Sequence, residues 1–452
     1  MNGKSSWGWW MLVMWCCCCY WPSPTASWMA HFMPKDLEVH MEKSAQVILS
    51  VENVEPSVLQ HPQRYSFRLE SSHQDLAKVA DENASIPIDL IDVNTGKWSG
   101  PIHVLGHFLG TSKITVHLVD GQLNTSQLPT NGSSDSSLEV RVVRPERVVD
   151  HVFVGSIILL MSLVYINFGA ALNIEVLRGL ITRPVAPSIG FIMQVVGMPL
   201  LSYALGVFIF PQAPAMQLGL FFTGISPSGG ASNTWSAVLG GNINLSVLMT
   251  TISNVAAFAT MPLWIFTLGQ LIFERAGMVV PYSKIATYCA SLIVPLLIGL
   301  AIQRCSPRLT RLLVRLLKPI SASLILFIII FAIITNFYLF QLFSWQIAAA
   351  GFALPSLGYA IAWLTAKLLN QNSSDALTIA IETGIQNTGI AIFFLRTTLQ
   401  QPQADLTTVV PVSVAIMTPL PLLGIYLYRR FSGGLKVNEA PALSERERER
   451  IV

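Results

Sequence analysis

The chain has 452 residues, of which 52% are hydrophobic and 12% charged, and its formal net charge is +3. That charge content is about half the soluble average, which indicates an integral membrane protein with any soluble part kept separate. The small net charge, and the lack of a basic stretch interleaved with aromatics, exclude a nucleic-acid binder.

Lys4 precedes an apolar run from Trp7 to Trp21 and then the turn residues PSPTAS. This is the layout of a secretory signal peptide over residues 1–26, with cleavage near Ala26 or Ser27; a retained signal anchor is the alternative. Cys16 to Cys19 would leave with the peptide.

Residues 31–150 are polar overall, with short runs that alternate and are rich in Val and Ile: AQVILSV, YSFRL, KITVHLV and LEVRVVR. They predict a small β-sandwich-like, β-rich domain placed outside the cell. No cysteine occurs between Tyr20 and Tyr288, so no disulfide supports that placement. Three glycosylation acceptors do: Asn83-Ala-Ser85, Asn124-Thr-Ser126 and Asn131-Gly-Ser133. His103, His107 and His117 would share a strand face if the strand were unbroken, but Gly106 and Gly110 interrupt it, so they read as surface residues and not metal ligands.

Nine apolar segments follow, at about 152–174, 186–210, 213–240, 243–269, 282–302, 319–341, 347–369, 376–398 and 406–428. Each is long enough for the roughly 30 Å hydrocarbon core. Loop 303–318 carries Arg304, Arg308, Arg311, Arg315 and Lys318 and no acid, loop 175–185 carries Arg178 and Arg183, and the C-terminal edge carries Arg429 and Arg430. The positive-inside rule then puts the N-terminus outside and the charged tail, 431–452, in the cytoplasm. Segments starting at 152, 186, 213 and 243 match those at 319, 347, 376 and 406 with an offset of about 160 residues, which is an inverted repeat.

The third and eighth segments are interrupted, by SPSGGASNTW (Ser226 to Trp235) and by ETGIQNTG (Glu382 to Gly389). Between Val152 and Tyr428 the acids are Glu175, Glu274, Asp375, Glu382 and Asp405, and of these Glu382 lies deep inside a segment. An ionisable residue at bilayer depth is costly and marks function. Broken helices at matching places in two repeats mark a transporter's midplane site.

Five polar residues can join Glu382: Ser232 and Asn233 after the glycine pair, Ser246 and Thr250 four apart on one helix face, and Gln194 in FIMQVVGMP. Gln386 lies four residues after Glu382. One carboxylate among neutral oxygens suits a small hard monovalent cation, so Na⁺ is the favoured ion and a proton on Glu382 its competitor. Taken alone, Ser246 or Thr250 reads better as a hydroxyl bonded back to its own helix or holding helices together than as a ligand. Trp235, Trp264, Trp345 and Trp363 read as interface or packing residues, and Cys289 and Cys305 as inert.

Over residues 152–430 the chain resembles the sodium–bile acid symporter family. The likeness rests on Arg183-Pro184, Gln194, Met198-Pro199, SPSGGASN, GNINLSVLMTTISN, Met261-Pro262, VPYSKI and ETGIQN. The ectodomain is similar to that of the family's orphan branch. The resemblance implies a nine-helix inverted-repeat transporter with panel and core domains and two broken helices crossing in the core. It also implies two Na⁺ sites. One would use Ser232, Asn233, Ser246, Thr250 and Glu382; the other Gln194, Glu382, Gln386 and the main-chain oxygens of Thr383 and Ile385. Asn387 and Gly230 lie where the family contacts its amphipathic organic anion, and Gly230 stands where the family motif PGGTASN has threonine. The function expected is Na⁺-coupled import of a bile-acid or sulfated-steroid type anion at the plasma membrane, with no enzyme activity and no organic cofactor. The alternative is a non-transporting receptor or trafficking protein whose ectodomain binds a partner. Oligomeric state is not legible.

Overall fold

The computed structural model describes residues 28–80, 84–120, 137–145, 147–172, 184–335 and 343–432. The expected signal peptide, the acceptors Asn83, Asn124 and Asn131, and the charged tail from 433 lie outside the described residues. The chain divides into two compact units, Met1–Pro145 and Glu146–Val452.

The first unit is β-rich. Its strands are β1 (Met29–Met33), β2 (Asp36–His40), β3 (Ser44–Glu52), β4 (Tyr65–Ser71), β5 (Ala77–Val79), β6 (Ser85–Pro87), β7 (Trp98–Gly106), β8 (Gly110–Asp120) and β9 (Ser137–Val143). They form a four-stranded sheet, β1-β3-β7-β5, and a five-stranded sheet, β2-β9-β8-β4-β6. Alternation decides which side chains go inward. Val47, Leu49 and Val51 of β3 join Ile114, Val116 and Leu118 of β8 in one buried apolar cluster drawn from both sheets. His103 lies on the four-stranded sheet and His117 on the five-stranded one. Among the described residues no group of three His, Cys, Asp or Glu side chains is placed to hold a metal.

The second unit is helical. Its elements are α1 (Val148–Ala171), α2 (Val185–Ile209), α3 (Pro214–Ile225), α4 (Ala231–Val238), α5 (Ile243–Arg275), α6 (Tyr282–Cys305), α7 (Pro307–Thr335), α8 (Trp345–Leu368), α9 (Ser373–Gly384), α10 (Thr388–Thr398) and α11 (Gln403–Phe431). Among the described residues six are long and apolar enough to cross a membrane: α1, α2, α5, α6, α8 and α11. Side-chain caps set several starts. Asn242 accepts from Leu245 N at 3.2 Å at the head of α5, and Asn372 from Asp375 N at 2.8 Å at the head of α9.

Helices α1 and α6 touch backbone to backbone. A Cβ placed on Gly169 would stand 2.2 Å from Leu296 O, and one on Gly299 would stand 2.1 Å from Ile166 O. Apolar side chains gain nothing from leaving lipid for a protein interface, so close approach of small residues supplies the attraction. Gly299→Leu is therefore expected to lower the thermal midpoint of the purified protein by several degrees. Gly155→Leu, also on α1 but with open space around its Cβ position, leaves the midpoint unchanged. Equal midpoints for the two variants would refute this account of the contact.

Two of the long helices carry a π-turn close to a proline, Met193–Gly197 before Pro199 in α2 and Ile265–Gly269 after Pro262 in α5. Pro199 has no N–H to give the carbonyl four residues back, that of Val195. The indole N–H of Trp264 donates to Val195 O instead, at 2.6 Å. Trp264 thus has a defined role beyond packing. It satisfies the orphan carbonyl and joins the two distorted helices next to Gln194.

Candidate ion and anion site

Two interruptions meet in the middle of the helical unit. Helix α3 stops at Ile225 and α4 begins at Ala231, while α9 stops at Gly384 and α10 begins at Thr388. The extended residues between them pair as a short antiparallel bridge, Ser228 with Gln386. Gly229 N donates to Ile385 O and Asn387 N donates to Pro227 O, both at 2.8 Å. Each break supplies the partners that the other break's backbone needs, which is the condition for non-helical chain at membrane depth. Gly229 has to be small here, because a Cβ on it would approach Gln386 O to 3.0 Å.

Glu382 sits in the last turn of α9 and is 1% exposed. Ser228 Oγ and Thr250 Oγ1 donate to its Oε2 at 2.7 and 2.8 Å, and Ser246 Oγ donates to its Oε1. Ser246 and Thr250 fall on the same face of α5, one turn apart. Asn233, in the first turn of α4, brings Oδ1 to 2.8 Å from Ser246 Oγ and 3.5 Å from Thr250 Oγ1. Ser232 Oγ lies 3.4 Å from Ser228 Oγ and 3.5 Å from Thr250 Oγ1.

Counting protons shows what this arrangement lacks. The Ser246 hydroxyl has a single proton but faces Glu382 Oε1 and Asn233 Oδ1. The Thr250 hydroxyl faces Glu382 Oε2, Asn233 Oδ1 and Ser246 O. Oxygen lone pairs outnumber the protons available to them, around a buried carboxylate whose described neighbours include no basic group. Such a set of hard oxygen donors is chemically suited to a small cation.

A second polar group adjoins it. Gln194, in the π-turn of α2, donates to Gln386 Oε1 at 2.9 Å and to Ser226 O at 2.8 Å. Gln386 donates back to Gln194 Oε1 at 3.3 Å and to Thr383 O at 2.6 Å. The two glutamines hold each other, the Ile385 carbonyl accepts from Gly229, and Thr383 Oγ1 is buried without a partner among the described residues. A small cleft touches both groups and is lined by Gln194, Ser228, Ser253 and Glu382, with Phe191 and Met249 among its apolar walls. Gly230 and Asn387 lie at the N-termini of α4 and α10, where helix ends present positive partial charge.

Residues 158–342 match the Sodium Bile acid symporter family. The P3 protein of Homo sapiens is 30% identical over 273 residues, 60% of this chain and 57% of its own length. The ileal sodium/bile acid cotransporter of Homo sapiens is 28% identical over 294 residues, 64% of this chain and 83% of its own. The chain's match to the P3 proteins spans little more than half their length. The sodium-dependent organic anion transporter of Bos taurus is 27% identical over 250 residues, 55% of this chain and 65% of its own. The symporter-family match takes in Gln194, Gly230, Ser232, Asn233, Ser246 and Thr250, while Glu382 to Asn387 lie beyond it. The chain is a multi-pass helical membrane protein with a β-rich N-terminal unit, and its helical part is similar to these transporters.

Sequence reasoning about the site missed Ser228, which contacts Glu382 directly. It looked to the residues after the glycine pair, where helical spacing can be applied; Ser228 precedes the pair on extended chain, where spacing says nothing about direction. It also placed Asp405 at a segment end. Asp405 is in the first turn of α11 as expected, yet it is fully buried and ion-paired with Arg396 of α10, whose guanidinium lies 5.5 Å from the Phe153 ring centre.

Proposed function

We propose that this chain is a sodium-coupled symporter that imports an amphipathic organic anion, of bile-acid or sulfated-steroid type, by alternating access. The observation that supports this best is the surplus of oxygen lone pairs around buried Glu382 at the meeting of two interrupted helices. Na⁺ enters as a co-transported substrate. Glu382 supplies the charge that balances it, and Ser232, Asn233, Ser246 and Thr250 supply neutral oxygens. Gln194, Gln386 and the Thr383 and Ile385 carbonyls form the second set, which is closed upon itself in this geometry. The anion would then meet the positive ends of α4 and α10 at Gly230 and Asn387, a field made favourable only once the cation offsets Glu382.

In this reading α3 with α4, and α9 with α10, each make one broken span, and with α7 the chain crosses the membrane nine times. The β-rich unit faces outward, the tail inward, and the membrane is the plasma membrane. The test is uptake of labelled taurocholate and of a steroid sulfate into expressing cells, in Na⁺ and in choline buffer at one pH. Uptake above mock cells in Na⁺ and not in choline is the expected result. Uptake equal in both buffers refutes sodium coupling and favours the proton as the ion on Glu382.

A further inference from the structure

The segment PSGGASN, Pro227 to Asn233, carries a hydroxyl at residue 228, just ahead of the glycine pair. The structure shows where that hydroxyl goes. Ser228 Oγ reaches Glu382 Oε2 at 2.7 Å and Ser232 Oγ at 3.4 Å, inside the oxygen cluster.

We infer that Ser228 is an additional cation ligand of this protein, which raises its Na⁺ affinity by extending the oxygen shell around Glu382. The inference rests on the sodium-coupled reading above. Three features of the structure favour a ligand over an incidental contact. First, the residue is fixed on both sides: its N–H donates to Ser253 Oγ at 3.3 Å, Asn254 Nδ2 donates to its carbonyl at 3.3 Å, and its backbone pairs with Gln386. Its side chain therefore gives up little further freedom on binding an ion. Second, Ser228 comes from the break itself whereas Ser246 and Thr250 come from α5, so the donors reach Glu382 from separate elements. Third, it borders the cleft that Gln194 and Glu382 also line, so it faces the space between the two polar groups. With Ser228 the side chains offer seven oxygens: two from Glu382 and one each from Ser228, Ser232, Asn233, Ser246 and Thr250. Six oxygens is an ordinary shell for a hard cation, and with Ser228 it is reached even when the carboxylate gives a single oxygen.

The experiment uses the full-length protein in lipid nanodiscs. NaCl is the probe, with choline chloride holding ionic strength constant, and the readout is the Na⁺ concentration giving half of the maximal rise in thermal midpoint. Ser228→Ala and Ser228→Gly are expected to raise that concentration at least about tenfold, and Ser228→Thr to restore it to near the wild-type value. A purely structural role would instead shift the midpoint in choline and leave the Na⁺ dependence alone. Half-maximal concentrations within about twofold of wild type in both Ala and Gly variants would overturn the assignment while leaving sodium coupling intact. A wild-type protein whose midpoint ignores Na⁺ would overturn the coupling reading and this assignment together.

Discussion

Glu382→Ala loses Na⁺-dependent uptake by at least about 100-fold while the protein still reaches the cell surface. The size follows from removing one partner of a buried charge pair, roughly 3–5 kcal/mol, where each 1.4 kcal/mol is tenfold. Glu382→Gln separates charge from shape. It keeps the side chain's length and an oxygen to accept from Ser228, Ser246 or Thr250, but it cannot balance a cation. It is expected to be as inactive as the alanine variant and, in choline buffer, to melt higher than wild type, because it no longer buries an uncompensated charge. Wild type should gain about 2.7 kcal/mol from Na⁺ at a hundredfold excess over its Kd, and Glu382→Gln nothing. Uptake retained in either variant refutes the assignment of Glu382 as the coupling residue.

Asp405→Ala destabilises the folded protein by about 3–5 kcal/mol, the loss expected when one member of a buried pair is removed and the other is stranded. Arg396 and Asp405 side chains are 5% and 0% exposed, so neither can turn to water. The double replacement Arg396→Met with Asp405→Leu should recover most of that loss, because apolar side chains of similar volume remove both desolvation costs together. Thermal unfolding of the three purified proteins decides it. A double variant as unstable as the single one shows that the pair acts through shape and not charge. This pair lies on α10 and α11, away from the oxygen cluster, so sodium dependence should survive in whichever variants fold.

What was legible in the sequence was depth along the membrane normal. A carboxylate such as Glu382 stands out in an apolar run, and glycines next to amides announce an interrupted helix. Ser246 and Thr250 were placed on one face because a helix has a fixed period. Partner choice across elements was not legible. Gln194, in the π-turn Met193–Gly197, pairs with Gln386 across 192 positions of sequence, a distance that helical spacing does not reach. The burial of Asp405 depends on Arg396 and Phe153, which are brought to it by packing, not by sequence spacing. In the β-rich unit alternation gave the strands, whereas the parallel pairing of β2 with β9, about 100 residues apart, follows from topology.

The Ser228–Gln386 bridge is made of main-chain groups alone: Gly229 N to Ile385 O and Asn387 N to Pro227 O. Peptide groups are the same whatever side chains they carry. Replacement of the neighbouring side chains therefore leaves the crossing in register, provided residue 229 stays small enough to pass Gln386 O. The crossing is a fixed frame on which recognition groups can be exchanged, one position at a time, without refolding the protein.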